Sequence, residues 1–139
     1  MRGYKHIEQC IGLYIGKRYK NIVEVGSGDN ITSASIIRDM GGSILCIDIK
    51  PISSRNGLDV AIDDIHSPDL HLYQEADCIY AVRPGIEMMP DLIRIATTVG
   101  ADLLVYHLGC EIYADGGEII NCGVILRRYV RSQKEKRVD

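Results

Sequence analysis

The chain has 139 residues, 46% of them apolar, and a formal net charge of −3; with mean hydropathy near zero it suits one globular domain and excludes a disordered segment. A nucleotide-binding unit fits this length, whereas a full cofactor domain with a dedicated substrate domain does not. No apolar run reaches the roughly 18 to 20 residues that cross a bilayer, and residues 1–6 lack the apolar stretch of a secretory signal, so the expectation is a cytoplasmic protein without a membrane partner.

Charge is segregated along the chain. Residues 1–20 carry five Lys/Arg against one Glu and residues 126–139 six against two, while residues 51–125 carry three against twelve. A nucleic acid partner, if there is one, is therefore met by the basic ends, although neither end interleaves stacking aromatics with its charges. Five cysteines form an odd, scattered set without a C-x-x-C pair, which argues against a zinc site, and no metal is expected; Cys46 and Cys78 lie in apolar runs and read as core packing.

In chain order, Ile7, Cys10, Ile11, Tyr14 and Ile15 recur at three- and four-residue steps and predict an amphipathic helix over Tyr4–Lys17; Gly12 and Gly16 weaken it by up to about 1 kcal/mol each. Asn21–Val25 predicts a strand running into Gly26-Ser27-Gly28. Asp29, Asn30 and Thr32 offer caps for a helix that Gly41-Gly42 ends. Ser43–Asp48 predicts a second strand ending in an acid. These elements make the first βαβ unit of a parallel sheet. Further strands are expected at Leu58–Asp64, Ala76–Val82 and Ala101–His107, with a helix over Ile86–Val99 between the last two. Glu118–Val130, broken at Asn121-Cys122-Gly123, predicts an antiparallel strand or hairpin. The fold class is thus α/β, a single Rossmann-like three-layer domain over residues 1–130 with about five parallel strands and an antiparallel ending, followed by a polar tail at 131–139.

Gly26 and Gly28 directly after a strand let the chain turn tightly and let backbone N–H groups approach a ligand at a helix N-terminus. Asp48, 20 residues past Gly28 and closing the next strand, stands where a carboxylate accepts ribose hydroxyls. The pattern departs from the dinucleotide fingerprint, because its third glycine falls at Ile31. Glu24 also places a carboxylate where a pyrophosphate would be repelled. Arg83 and His107 are expected at the carboxyl ends of the fourth and fifth strands, where ligands bind in open α/β sheets. Arg83 is either a clamp for a substrate carboxylate or phosphate or the partner of an acid of the chain. His107 is either a general base or a hydrogen-bonded strand-end residue. His66 and His71 read as members of a surface loop.

Glu24-Val25-Gly26-Ser27-Gly28, the strand ending in Asp48 and the acid at Asp63 resemble the first motifs of class I S-adenosylmethionine-dependent methyltransferases. The short length, Arg83-Pro84 and the strand-rich ending resemble an uncharacterised archaeal family of small Rossmann-like proteins related to them. The resemblance implies S-adenosylmethionine as cofactor, with Glu24, Gly26, Ser27 and Gly28 on the methionine and ribose side, Asp48 on the ribose hydroxyls and Asp63 facing the adenine amino group. It implies a minimal methyltransferase or a non-catalytic cofactor binder, with a protein partner or a homodimer completing an acceptor site. Arg83-Pro84-Gly85-Ile86 stands where amino-methylating members carry Asp/Asn-Pro-Pro-Tyr, which argues against base or glutamine N-methylation. Two other classes remain open: an NAD-binding regulatory module, which Asp48 suits equally well, and an interaction protein that keeps the fold without a ligand.

Overall fold

A computed structural model describes residues 3–52, 57–132 and 134; the tail beyond residue 134 lies outside them. Helix α1 (Gly3–Arg18) leads into β1 (Asn21–Val25), α2 (Thr32–Asp39), β2 (Ser43–Asp48), β3 (Asp59–Ile62), β4 (Cys78–Val82), α3 (Met89–Val99), β5 (Asp102–Tyr106), β6 (Glu118–Asn121) and β7 (Ile125–Val130). The seven strands form one sheet in the order β3-β2-β1-β4-β5-β7-β6. β1 to β5 are parallel, with β7 antiparallel to both β5 and β6. An order that runs 3-2-1-4-5 outward from a central switch point brings the carboxyl ends of β1 and β4 together at a crevice.

Alternation along the strands divides the core in two. Val23, Val25, Ile47, Ile79, Leu103 and Val105 face α3, which answers with Met89, Leu92, Ile95 and Ala96. Ile22, Ile44, Cys46, Cys78, Tyr80 and Leu104 face α1 and α2. This is a three-layer domain, and the two thiols in β2 and β4 are buried as read from the sequence. Gly12 and Gly16 prove to be contact residues: a Cβ on Gly12 would stand 3.0 Å from the Ser33 carbonyl oxygen, and one on Gly16 2.7 Å from the Met40 sulfur. Their helix-propensity cost is offset by the close approach of α1 to α2.

Three elements fall short of the sequence expectation by two residues or more at one end. β3 keeps only the middle of the expected 58–64 stretch; it is an edge strand, and past it the Asp63 N–H makes one more bond to the Asp48 carbonyl at 3.1 Å while the Asp63 and Asp64 carboxylates take loop amides. β4 starts at Cys78 because Asp77 is a staple: its two carboxylate oxygens take the Lys20 and Asn21 N–H groups, each at 3.0 Å. α3 is preceded by one 3-10 turn, Ile86–Met88, and starts with Pro90 in its first turn, where the missing N–H costs nothing.

Two of the basic carboxyl-terminal residues, Arg128 and Arg131, are tied to acids of the sheet. Arg128 pairs with buried Asp102 at 3.3 Å and with Glu118 at 2.9 Å, and Arg131 pairs with the same Glu118 at 2.9 Å. Among the described residues no helix is long and apolar enough to cross a membrane, and no three His, Cys, Asp or Glu side chains come together as a metal site.

Candidate functional site

The turn after β1 is built from two left-handed glycines, Gly26 at φ 77° and Gly28 at φ 55°. An L-residue in that conformation costs roughly 1–2 kcal/mol. Space is not the constraint: a Cβ on Gly28 would meet nothing within 4 Å, and one on Gly26 only the Met88 methyl at 4.0 Å. Gly26 N–H donates to the Ile47 carbonyl at 2.7 Å, and Gly28 N–H to Asp48 Oδ2 at 2.9 Å. The second Asp48 oxygen takes the Lys50 N–H at 3.3 Å. Glycine turn and strand-end acid are thus one hydrogen-bonded unit. Asn30 Oδ1 accepts the Thr32 N–H at 3.1 Å, an Asx turn one residue ahead of the cap position of α2, which Ile31 holds without a side-chain bond.

Beside this unit, on the α3 side of the sheet, lies a cavity of about 490 Å³. Gly26, Asp48 and Asp63 line it, together with Asp64, Glu87 and Asp91. Its apolar walls are Val25, Ile47, Ile65 and Met88. Five carboxylates and no lysine or arginine among the described residues face this space, with exposed His66 at its rim. Asp63 is held in place by the Tyr73 hydroxyl at 2.7 Å and the Asp69 N–H at 3.0 Å, one on each oxygen. Each oxygen keeps a further acceptor position.

Glu24 stands on the opposite side of the turn. It is 3% exposed and is not among the cavity's lining residues. Its Oε1 accepts the Tyr80 hydroxyl at 3.0 Å, and that hydroxyl lies 2.8 Å from Ser33 Oγ in α2. Burial pushes the Glu24 pKa up to about 8, the charge of buried Glu8 adds to the rise, and the Tyr80 hydroxyl opposes it. Glu8 is raised as well, first by burial. Ser27 is buried beside this group. The six expected cofactor residues therefore divide: Gly26, Asp48 and Asp63 line the cavity, Gly28 buttresses Asp48, and Glu24 and Ser27 lie behind the turn.

Arg83 follows β4 with φ 54°, a strained conformation for a residue with a side chain. Its N–H donates to the Tyr106 carbonyl at 2.7 Å. The guanidinium lies 3.5 Å from Glu8 of α1 and 5.4 Å over the Tyr106 ring. Of the two readings of Arg83, the structure displays the pairing with an acid of the chain. His107 is 8% exposed and its Nε2 is 2.6 Å from the Tyr129 hydroxyl. Burial, and then the charge of Arg127, hold its pKa below the usual imidazole value.

The residues missed from the sequence are Asp64, Glu87, Met88 and Asp91. Three are acids from the segment of net charge −9, and that excess was the available signal. Their meeting depends on the 3-10 turn before α3 folding back over β1, a long-range event with no local pattern.

The sheet resembles solved Rossmann-type structures at low identity, which bears on fold alone. The PH0226 protein of Pyrococcus horikoshii aligns with a TM-score of 0.55 and 11% identity over 79% of this chain and 57% of its own. MoeE5, solved in complex with UDP-glucose and NAD, aligns with a TM-score of 0.50 and 17% identity over 70% and 40%. Among sequence relatives, a UPF0146 protein of Pyrococcus horikoshii is 32% identical over 75% of this chain and 82% of its own length. One of Archaeoglobus fulgidus is 30% identical over 68% and 74%. The family model itself matches residues 7–122, and the chain belongs to the uncharacterised protein family UPF0146.

Proposed function

We propose that this domain binds S-adenosylmethionine in the cavity beside Gly26 and Asp48, as a minimal methyltransferase or as a cofactor-binding protein of that lineage. The observation that carries the reading is the charge of the cavity: five carboxylates and no Lys or Arg among the described residues. Opposed unit charges about 4 Å apart interact by roughly 4 kcal/mol at the effective dielectric of a protein surface. Arg94, 2.8 Å from Asp91, offsets one of the five carboxylates, so a pyrophosphate finds an excess of like charge here, whereas a sulfonium and an ammonium find opposite charge. The same argument weighs against an NAD-binding module, although Asp48 suits either ribose.

In this reading Asp48 accepts the ribose hydroxyls while Gly28 N–H holds its carboxylate in place. Asp63 accepts the adenine amino group on the acceptor positions left by Tyr73 and Asp69, and Val25, Ile47, Ile65 and Met88 supply the apolar walls for the ring. Glu24 and Ser27 stand outside the cavity lining and support the turn from behind. When bound, S-adenosylmethionine supplies an activated methyl group; alignment alone contributes much of the rate of such transfers, so the reading requires no acid–base pair.

A cofactor that binds only the folded chain raises its stability by about 2.7 kcal/mol at 100 times Kd. For a domain of this size, at about 3–4 °C per kcal/mol, that raises Tm by roughly 8–11 °C. S-adenosylmethionine is expected to produce such a shift in a thermal melt and NAD at equal concentration none. A shift with NAD alone contradicts the reading.

A further inference from the structure

A second cavity, of about 500 Å³, opens on the same edge of the sheet. It is formed where β5 ends and antiparallel β7 begins, by Tyr106, His107, Ile112, Val124, Ile125 and Arg127 among others. In the sheet order, β4 alone separates β1 from β5. At about 4.8 Å per strand, the ends of β1 and β5 lie roughly 10 Å apart, so the two cavities flank the carboxyl end of β4. Val105 and Arg127 are register partners, which sets Arg127 on the α3 side of the sheet with the first cavity.

The chemistry of this cavity is opposite to that of its neighbour. Arg127 rests one guanidinium nitrogen on the Gly116 carbonyl at 3.3 Å. Gly116 itself is held at φ 86°, a left-handed conformation that favours glycine. The rest of the guanidinium's planar fork of donors is available for a bidentate anion. Glu111, the one acid of the lining, is exposed to solvent and weakly felt. Beside Arg127, buried His107 has an Nδ1 without a hydrogen-bond partner, an uncommon cost for a buried polar atom. Its Nε2 is taken by Tyr129, whose hydroxyl oxygen also accepts the Tyr113 N–H at 3.3 Å. Ile112 and Ile125, 50% and 43% exposed, complete an apolar mouth.

We propose that this second cavity anchors an anionic second substrate, an apolar body bearing a carboxylate or phosphate that Arg127 grips. The role of second substrate rests on the cofactor reading above; the anion site itself does not. The chain then carries its own anchoring site for that molecule without a second subunit.

The test follows amide resonances of the 15N-labelled full chain during titration with sodium benzoate, phenyl phosphate and the neutral isostere benzamide. Benzoate or phenyl phosphate is expected to shift Gly109, Ile112 and Ile125 saturably, and the stronger of the two identifies the anion. Benzamide is expected to bind at least about ten-fold more weakly, a difference of 1.4 kcal/mol. Arg127→Gln should lose the anion by a similar factor. Arg127→Lys, which keeps the charge without the fork, should fall between the two and guards against a folding defect in the first variant. Equal binding of benzamide, unchanged affinity in both variants, or no saturable shift at millimolar anion overturns the anion site. A parallel titration with S-adenosylmethionine is read at Gly26 and Gly28. Its failure overturns the cofactor reading and the second-substrate role together, whatever benzoate does.

Discussion

Asp48→Ala should reduce affinity for S-adenosylmethionine by about 10²-fold or more while leaving the domain folded. Each hydrogen bond from a neutral donor to a charged acceptor contributes about 1.5–3 kcal/mol, and a ribose offers two hydroxyls to one carboxylate. Among the described residues, in the free protein the same carboxylate holds the Gly28 and Lys50 amides. Both lie at a loop edge, so their loss costs roughly 1–2 kcal/mol, a tolerable part of a typical 5–15 kcal/mol stability. Asp48→Asn keeps one acceptor and should be intermediate. Affinity measured by calorimetry, with urea unfolding of the same variants, separates the two effects. An Ala variant that binds like the parent places the ligand elsewhere.

The second large effect concerns Glu24. Its pKa rises from 4.5 to about 8 on folding, first because burial disfavours the carboxylate and then because Glu8 is close. Between those two values the folded chain holds a proton that the unfolded chain has released. The stabilisation is therefore complete below about pH 4.5 and is lost progressively as pH rises towards 8. Glu8, raised in the same direction, adds to the slope. Glu24→Gln keeps an uncharged group beside Tyr80 and removes the titration. It should stabilise the domain at pH 8 by a few kcal/mol, on the order of 3, and flatten the pH dependence of the urea midpoint. A parent protein whose midpoint rises between pH 5 and 8 contradicts this account of Glu24.

What the sequence made legible was local. β1 and β2 fall on the residues where apolar runs meet a Gly-Ser-Gly turn and a terminal acid, because strand, turn and acid are adjacent in the chain. The hairpin at 118–130 was readable from its β-branched runs and the Asn-Cys-Gly break, where Gly123 N–H closes onto Asn121 Oδ1 at 3.0 Å. The environment of Glu24 was not readable. Tyr80 comes from a strand 56 residues on and Glu8 from the leading helix. A carboxylate that looks ligand-facing in the motif is, in the fold, roofed by α1 and α2. Arg83 is similar: its position at a strand end was legible, but its direction depends on Glu8, the single acid of the basic segment 1–20. His107 stands where the fifth strand was expected to end, and its partner Tyr129 depends on how β7 inserts between β5 and β6.

The Asp48 cavity is acidic, next to a glycine turn and apolar on its walls, and the central claim is that this combination selects a cationic adenosine cofactor. Parallel calorimetric titrations of the full chain with S-adenosylmethionine, S-adenosylhomocysteine and NAD test that claim most directly. Saturable heat with S-adenosylmethionine, near one site per chain and with no response to NAD, is the predicted result; heat from NAD alone would contradict it.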